Sequence, residues 1–105
     1  MTHLSTHVLD AVAGRPAAGI AVTLTDTAGA VLATARTDAD GRVAELAAGL
    51  APGVYRLTFD TADYFAGAPS FYPEVVIAFE VTDGVPKYHV PLLLSPFAYS
   101  TYRGS

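Results

Sequence analysis

The 105 residues are long enough for one folded domain, 1–105, which should bury roughly two thirds of the surface of its unfolded chain. The absence of cysteine excludes disulfides, thiolate metal sites and cysteine nucleophiles. Six Lys and Arg against ten Asp and Glu give a net charge of -4, and the basic residues are scattered singly, so we expect no nucleic-acid partner. Only 15% of the residues are charged, against about 25% in typical soluble domains, which suggests that other subunits cover part of the surface.

The sequence shows neither a membrane-spanning segment nor a secretory signal. No apolar run approaches the ~18 residues that a membrane helix requires. The first seven residues contain neither the basic nor the apolar region of a secretory signal. We therefore expect a cytoplasmic protein with no membrane partner.

The first half of the chain shows the period-two alternation of half-buried strands. In residues 20–25, Ile20, Val22 and Leu24 share one face, and a turn over residues 27–30 leads to a return strand at Val31–Arg36. Residues 38–41 form a second turn in which Gly41 is free to adopt positive φ. The pattern predicts two early hairpins.

The second half continues with strands and one helix. Pro52 and Gly53 open a strand whose Tyr55, Leu57 and Phe59 share a face. Residues 60–67 combine N-cap candidates with a glycine stop and predict a short helix. Alternation over residues 75–81, a turn at 83–86 and an apolar segment at 88–94 predict a long C-terminal hairpin. Seven or eight short strands with one helix indicate an all-β, two-sheet sandwich.

Histidines are the most conspicuous candidates for chemistry. His89 lies in an apolar strand and shares a face with Pro91 and Leu93, where a histidine with a structural hydrogen-bond partner is the more frequent situation. His7 is expected to start a strand. His3 lies near a terminus that is expected to fray, and we expect it to be solvated and inert.

A metal site has little support in the sequence. On an extended strand His3 and His7 would lie about 13 Å apart, too far for both to bind one metal. No other His or Cys pair has a familiar ligand spacing. We predict no metal and no other cofactor.

Two further polar features have ordinary explanations when taken alone. Arg42 follows an Asp-Gly turn, where an exposed arginine without a function is common. The C-terminal segment 99–105 resembles a disordered tail, but it follows the aromatic stretch 96–99. We therefore expect the tail to dock on the domain.

Four segments together carry a resemblance to a known family. Residues 4–10 (LSTHVLD), 14–17 (GRPA), 37–42 (TDADGR) and the ending 88–105 closely resemble 5-hydroxyisourate hydrolases. The most specific element is the terminal Tyr102-Arg103-Gly104-Ser105, which is similar to the ending that separates these enzymes from transthyretin, a hormone carrier of the same fold. One departure is Ala98, where the family usually has glycine.

The resemblance implies both an architecture and an activity. The architecture is a transthyretin-like sandwich of about eight strands with one short helix, assembled as a homotetramer, a dimer of dimers with active sites at the dimer-dimer interface. The activity is metal-free hydrolysis of a cyclic amide bond in 5-hydroxyisourate, which gives 2-oxo-4-hydroxy-4-carboxy-5-ureidoimidazoline in urate catabolism.

The resemblance also assigns roles to particular residues. His7 and His89 would exchange protons with water and the leaving nitrogen, and either could be the base. Arg42 would bind substrate and stabilise the oxyanion.

In the tail, Tyr102 would orient the planar substrate, and Ser105 would hold a histidine or a water through its side chain and terminal carboxylate. Arg103 would anchor the tail electrostatically and take part in substrate binding. There are two alternatives. One is a transthyretin-like binding protein without catalysis, and the other is a structural sandwich module in which these residues are dispensable.

Overall fold

A computed structural model describes residues 2–105 and arranges nine strands and one short helix in that range as two sheets. This confirms the predicted all-β sandwich. The strands are β1 (His3–Asp10), β2 (Arg15–Pro16), β3 (Ala21–Asp26), β4 (Val31–Arg36), β5 (Arg42–Ala48), β6 (Gly53–Phe59), β7 (Val75–Val81), β8 (Lys87–Leu94) and β9 (Tyr99–Thr101), and the helix α1 (Thr61–Tyr64) follows β6.

The first sheet is organised around β1 and β8, which run parallel along their full lengths. β2 and β5 pair antiparallel with β1, and β9 pairs antiparallel with β8. The second sheet is antiparallel throughout, in the order β4-β3-β6-β7. The parallel pairing joins the two ends of the chain, because β1 and β8 are far apart in sequence.

The core lies between the two sheets and follows the alternation in the sequence. Leu4 and Val8 of β1 are fully buried, as are Leu57 and Phe59 of β6. Each such side chain contributes about 1.5–3 kcal/mol through burial. Thr6 is also buried, and its hydroxyl donates a 2.7 Å hydrogen bond to a backbone carbonyl of β8. Since alternate residues face outward, β1 and β8 present their histidines on the opposite face of the sheet.

Two of the predicted hairpins are wrong, although their turns form. The β3–β4 hairpin is confirmed, but β4 and β5 belong to different sheets, and so do β7 and β8. The turn before β5 docks on β1 instead: the Val8 amide donates to the Gly41 carbonyl at 2.7 Å, and Gly41 has a φ of 73°. A Cβ on Gly41 would collide with the Val8 carbonyl. A turn sequence sets where the chain reverses, whereas the partner of each strand depends on long-range packing.

The predicted helix is present but shorter than residues 60–67. Asp60 caps it by accepting a hydrogen bond from the Asp63 amide at 3.2 Å. The Tyr64 hydroxyl donates to Asp10 at 2.7 Å, and burial together with this bond raises the pKa of Tyr64 to about 12. A four-residue helix depends on such tertiary contacts because its intrinsic stability is marginal. No helix within residues 2–105 is long and apolar enough to cross a bilayer.

The substitution of alanine for glycine at position 98 is accommodated without backbone strain. Within residues 2–105, positive φ occurs only at glycines, so Ala98 has an ordinary backbone conformation. Its carbonyl accepts hydrogen bonds from both the amide and the hydroxyl of Ser95, at 2.9 and 2.8 Å. The turn between β8 and β9 therefore forms with alanine at this position.

Candidate active site

The registers of three strands bring the predicted polar residues together on the outward face of the first sheet. The antiparallel register of β1 and β5 places Arg42 directly opposite His7, which lies in the middle of β1 and not at its start. The parallel register of β1 and β8 places His89 opposite Ser5. Ser5 and His7 share this face because they are two residues apart on one strand. Pairing across strands thus collects groups that are up to 84 positions apart in sequence.

A cleft of about 330 Å³ opens on this face. Three of the predicted site residues line it, namely Arg42, His89 and Ser105. The rest of its lining is Ser5, Thr6, Ala44 and Lys87. His7 adjoins it through its pairing with Arg42. The structure therefore brings four of the predicted residues into one neighbourhood.

The electrostatic surroundings of His89 favour the neutral imidazole. Burial is the main cause of a pKa below the ordinary value, and the charges of Arg42, His7 and Lys87 lower it further. A hydrogen bond to the backbone of Ser5 acts in the opposite direction without reversing the shift. A neutral imidazole near neutral pH has a nitrogen lone pair and is able to accept a proton.

The His89 ring is held in place by two neighbours. Its Nδ1 lies 2.8 Å from the Ser5 hydroxyl. On the opposite side of β8 from Ser5, the Gly104 amide donates a 2.8 Å hydrogen bond to the His89 carbonyl. A Cβ added to Gly104 would lie 2.5 Å from His89 Cδ2, so only glycine fits against the ring without movement.

The C-terminal tail docks on β8, as expected from its aromatic approach. β9 pairs with β8, and the Thr101 hydroxyl donates a 2.7 Å hydrogen bond to the Pro91 carbonyl. The guanidinium of Arg103 lies over the Tyr88 ring, 5.1 Å from its centroid, a cation–π geometry. These contacts bring Ser105 to the cleft that Arg42 and His89 line.

Tyr102 and Arg103 do not line that cleft. They lie in a separate cleft of about 290 Å³ along β7 and β8, which His89 also lines. The position of Arg103 against Tyr88 fits the predicted anchoring of the tail. Direct contact of Tyr102 or Arg103 with substrate stays a prediction.

His3 lies outside both clefts. It shares the outward face of β1, is exposed, and pairs with Glu45 of β5. Among residues 2–105, no three His, Cys, Asp or Glu side chains lie close enough together to hold a metal ion. Metal-free chemistry stays a prediction.

Sequence reasoning missed two residues of this neighbourhood. Ser5 could have been suspected because period-two alternation puts it on the face of His7. Its contact with His89 could not, since it depends on the parallel pairing of β1 with β8. Lys87 is likewise two residues from His89 on one strand, but an exposed lysine carries no signal of its own.

Comparison with known proteins places this chain in a family. A family model described as Transthyretin: HIUase/Transthyretin family matches residues 4–104. The chain belongs to this family. A 5-hydroxyisourate hydrolase of Caulobacter vibrioides is 48% identical over 116 aligned positions that span 100% of both chains.

Solved structures of the family show the same fold. The 5-hydroxyisourate hydrolase of Klebsiella pneumoniae superimposes with a TM-score of 0.92 at 42% identity, covering 100% of both chains. Transthyretin from Sparus aurata superimposes with a TM-score of 0.89 at 34% identity, covering 96% of this chain and 95% of its own. Since hydrolase and transthyretin share the family fold, the side chains of the site must distinguish the two activities.

Proposed function

We propose that this protein hydrolyses 5-hydroxyisourate to 2-oxo-4-hydroxy-4-carboxy-5-ureidoimidazoline in urate catabolism. The observation that carries the proposal is the cleft in which His89, with its lowered pKa, lies beside Arg42. A proton acceptor and a fixed cation are the two groups that water attack on a cyclic amide requires. The names of relatives 42–48% identical over the whole chain point to the same substrate.

The reaction begins with water and ends with a broken ring. His89 accepts a proton as a water oxygen bonds to the amide carbon, and a tetrahedral oxyanion forms. Arg42 stabilises this anion through its planar donors. The carbon–nitrogen bond then breaks, the leaving nitrogen receives a proton from a histidine, and the new carboxylic acid ionises. No metal is required for these steps.

The second histidine and the tail complete the proposed machinery. His7, opposite Arg42, supplies the other proton-exchanging group and a contact to substrate. Ser105 lines the cleft together with His89 and would hold a water or the imidazole there. Tyr102 and Arg103 line the neighbouring cleft, which shares His89, and would contact substrate from that side.

We further propose that the chain works as a homotetramer, a dimer of dimers. The large apolar side chains of Phe71, Phe97 and Tyr102 are 70%, 63% and 58% exposed in the single chain. The cleft also opens on the outward face of a sheet, where a second dimer would exclude water. A cytoplasmic location accompanies this proposal as an expectation from the sequence.

The decisive assay follows the ultraviolet absorbance of freshly generated 5-hydroxyisourate with and without the protein. We expect decay well above the spontaneous rate, abolished by Arg42→Gln. If the protein has no effect on the decay, the proposed activity is wrong. Saturable binding without acceleration would support the alternative, a transthyretin-like binding protein, which the 34% identity to a transthyretin of the same fold keeps in view.

A further inference from the structure

The contact between Ser5 and His89 has a consequence for which ring nitrogen does the chemistry. The Ser5 hydroxyl lies 2.8 Å from Nδ1, so this nitrogen is already occupied by the protein. Only Nε2 is left to exchange a proton with water or substrate. A neutral imidazole carries one proton, on Nδ1 or on Nε2, and a hydroxyl beside Nδ1 is able to accept the hydrogen bond when the proton is on Nδ1.

A neutral ring whose Nε2 accepts a proton carries its own proton on Nδ1, beside Ser5. The Ser5 hydroxyl, 2.8 Å away, is able to accept a hydrogen bond from this Nδ1–H. Arg42, Lys87 and His7 face the ring from β5, β8 and β1, and each lowers its pKa. Together with burial, which is the largest cause, these charges favour the neutral ring.

Rotation of the ring is restricted from the tail as well. Gly104 packs so closely that a Cβ there would lie 2.5 Å from Cδ2 and 3.1 Å from both Cβ and Cγ of His89. A flip of the imidazole would lose the 2.8 Å contact to Ser5 and place another ring atom against the tail. The ring orientation is therefore defined by β1 and the tail together.

We propose that Ser5 is a positioning residue that holds His89 as the Nδ1–H tautomer and leaves Nε2 as the proton acceptor of the cleft. The role of Ser5 in turnover rests on the proposed hydrolase function. The tautomer of His89 does not rest on that function, because it is a property of the folded protein without substrate.

The tautomer is measured by 15N NMR of histidine-labelled protein at about pH 8, well above the ordinary imidazole pKa of about 6.5. The His89 signals are assigned by their loss in His89→Gln. We expect parent protein and Ser5→Thr to show protonated Nδ1, and Ser5→Ala to show a mixture of tautomers. Protonated Nε2 in the parent, or an unchanged tautomer in Ser5→Ala, would overturn the proposal.

Turnover supplies a second measurement. Loss of one such hydrogen bond corresponds to a decrease in kcat of about tenfold for Ser5→Ala, with KM nearly unchanged and with recovery in Ser5→Thr. His3→Ala, on the same face of the same strand, is the matched control and should behave as the parent. A parent without hydrolase activity refutes the proposed function and leaves the NMR result as the test of Ser5. Parental kcat in Ser5→Ala would refute the positioning role.

Discussion

The close approach of Gly104 to His89 allows one substitution to be worked through from the structure. In Gly104→Ala the new Cβ would lie 2.5 Å from His89 Cδ2, whereas ordinary contact begins near 3.4 Å. The tail or the imidazole must therefore move by the difference, about 0.9 Å. Movement of the tail strains the 2.8 Å Gly104–His89 hydrogen bond, and movement of the ring strains the 2.8 Å contact to Ser5.

Both movements have a small effect on stability and a large one on activity. Loss of one hydrogen bond lowers the free energy of unfolding by about 0.5–1.5 kcal/mol. A displacement of about 1 Å in a catalytic group lowers the rate on the order of 10²-fold. We therefore expect Gly104→Ala to remain folded and to lose about two orders of magnitude in kcat/KM.

The assay is the initial rate of 5-hydroxyisourate decay by ultraviolet absorbance, with circular dichroism to confirm folding. The matched control is Ser100→Ala, an exposed position on β9 that pairs with Leu93 away from the cleft. It should keep parental activity. A folded Gly104→Ala protein with parental kcat/KM would show that the tail does not set the position of His89.

Four other predictions follow from the same geometry. His7→Ala and His89→Ala should each lower turnover on the order of 10²-fold or more with an unchanged circular dichroism spectrum, and a variant with near-parental turnover would lose its assigned role. Because the pKa of His89 is lowered, the acidic limb of the plot of kcat/KM against pH should lie below about 6.5. Lys87→Gln removes one cause of the lowering and should move this limb to higher pH. An acidic limb above about 6.5 in the parent protein would contradict the prediction. Deleting residues 102–105 should abolish activity while changing the melting temperature by only a few degrees, since β9 remains paired to β8, and a truncated protein at parental rate would refute the role of the tail. Sedimentation should give a tetramer, and a stable 10.9 kDa species at working concentration would disprove the assembly.

Four of the strands and their buried faces could be predicted from local pattern alone, whereas β2, β5 and β9 were not predicted. Period-two alternation located β3, β4, β6 and β7 within a residue, because one buried face imposes its period on the sequence wherever a sheet packs. The helix was placed correctly but too long, since capping residues mark where a helix begins while packing decides how far it continues.

The connections between strands could not be predicted in the same way. Both wrong hairpins involve a genuine turn, but the strands on the two sides of the turn belong to different sheets. The choice depends on contacts far away in the chain, such as the hydrogen bond from the Val8 amide to the Gly41 carbonyl.

For the candidate site, the residue identities could be predicted from the sequence, but the contacts between them could not. The identity of His7, Arg42, His89 and the tail was available from the sequence, through chemistry and resemblance. The sequence could not show that Ser5 contacts Nδ1 of His89, that Gly104 packs on the ring, or that Tyr102 and Arg103 face a different cleft from Arg42.

What the sequence determined by itself was therefore many of the elements, their buried faces and the chemical groups they carry, because these depend on neighbours along the chain. Only the tertiary structure decided which groups meet. The parallel pairing of β1 with β8 brings positions 5 and 89 into contact, and the docking of the tail adds Gly104 and Ser105. Such pairings arise from the packing of the whole sandwich, and no local segment of the sequence contains them.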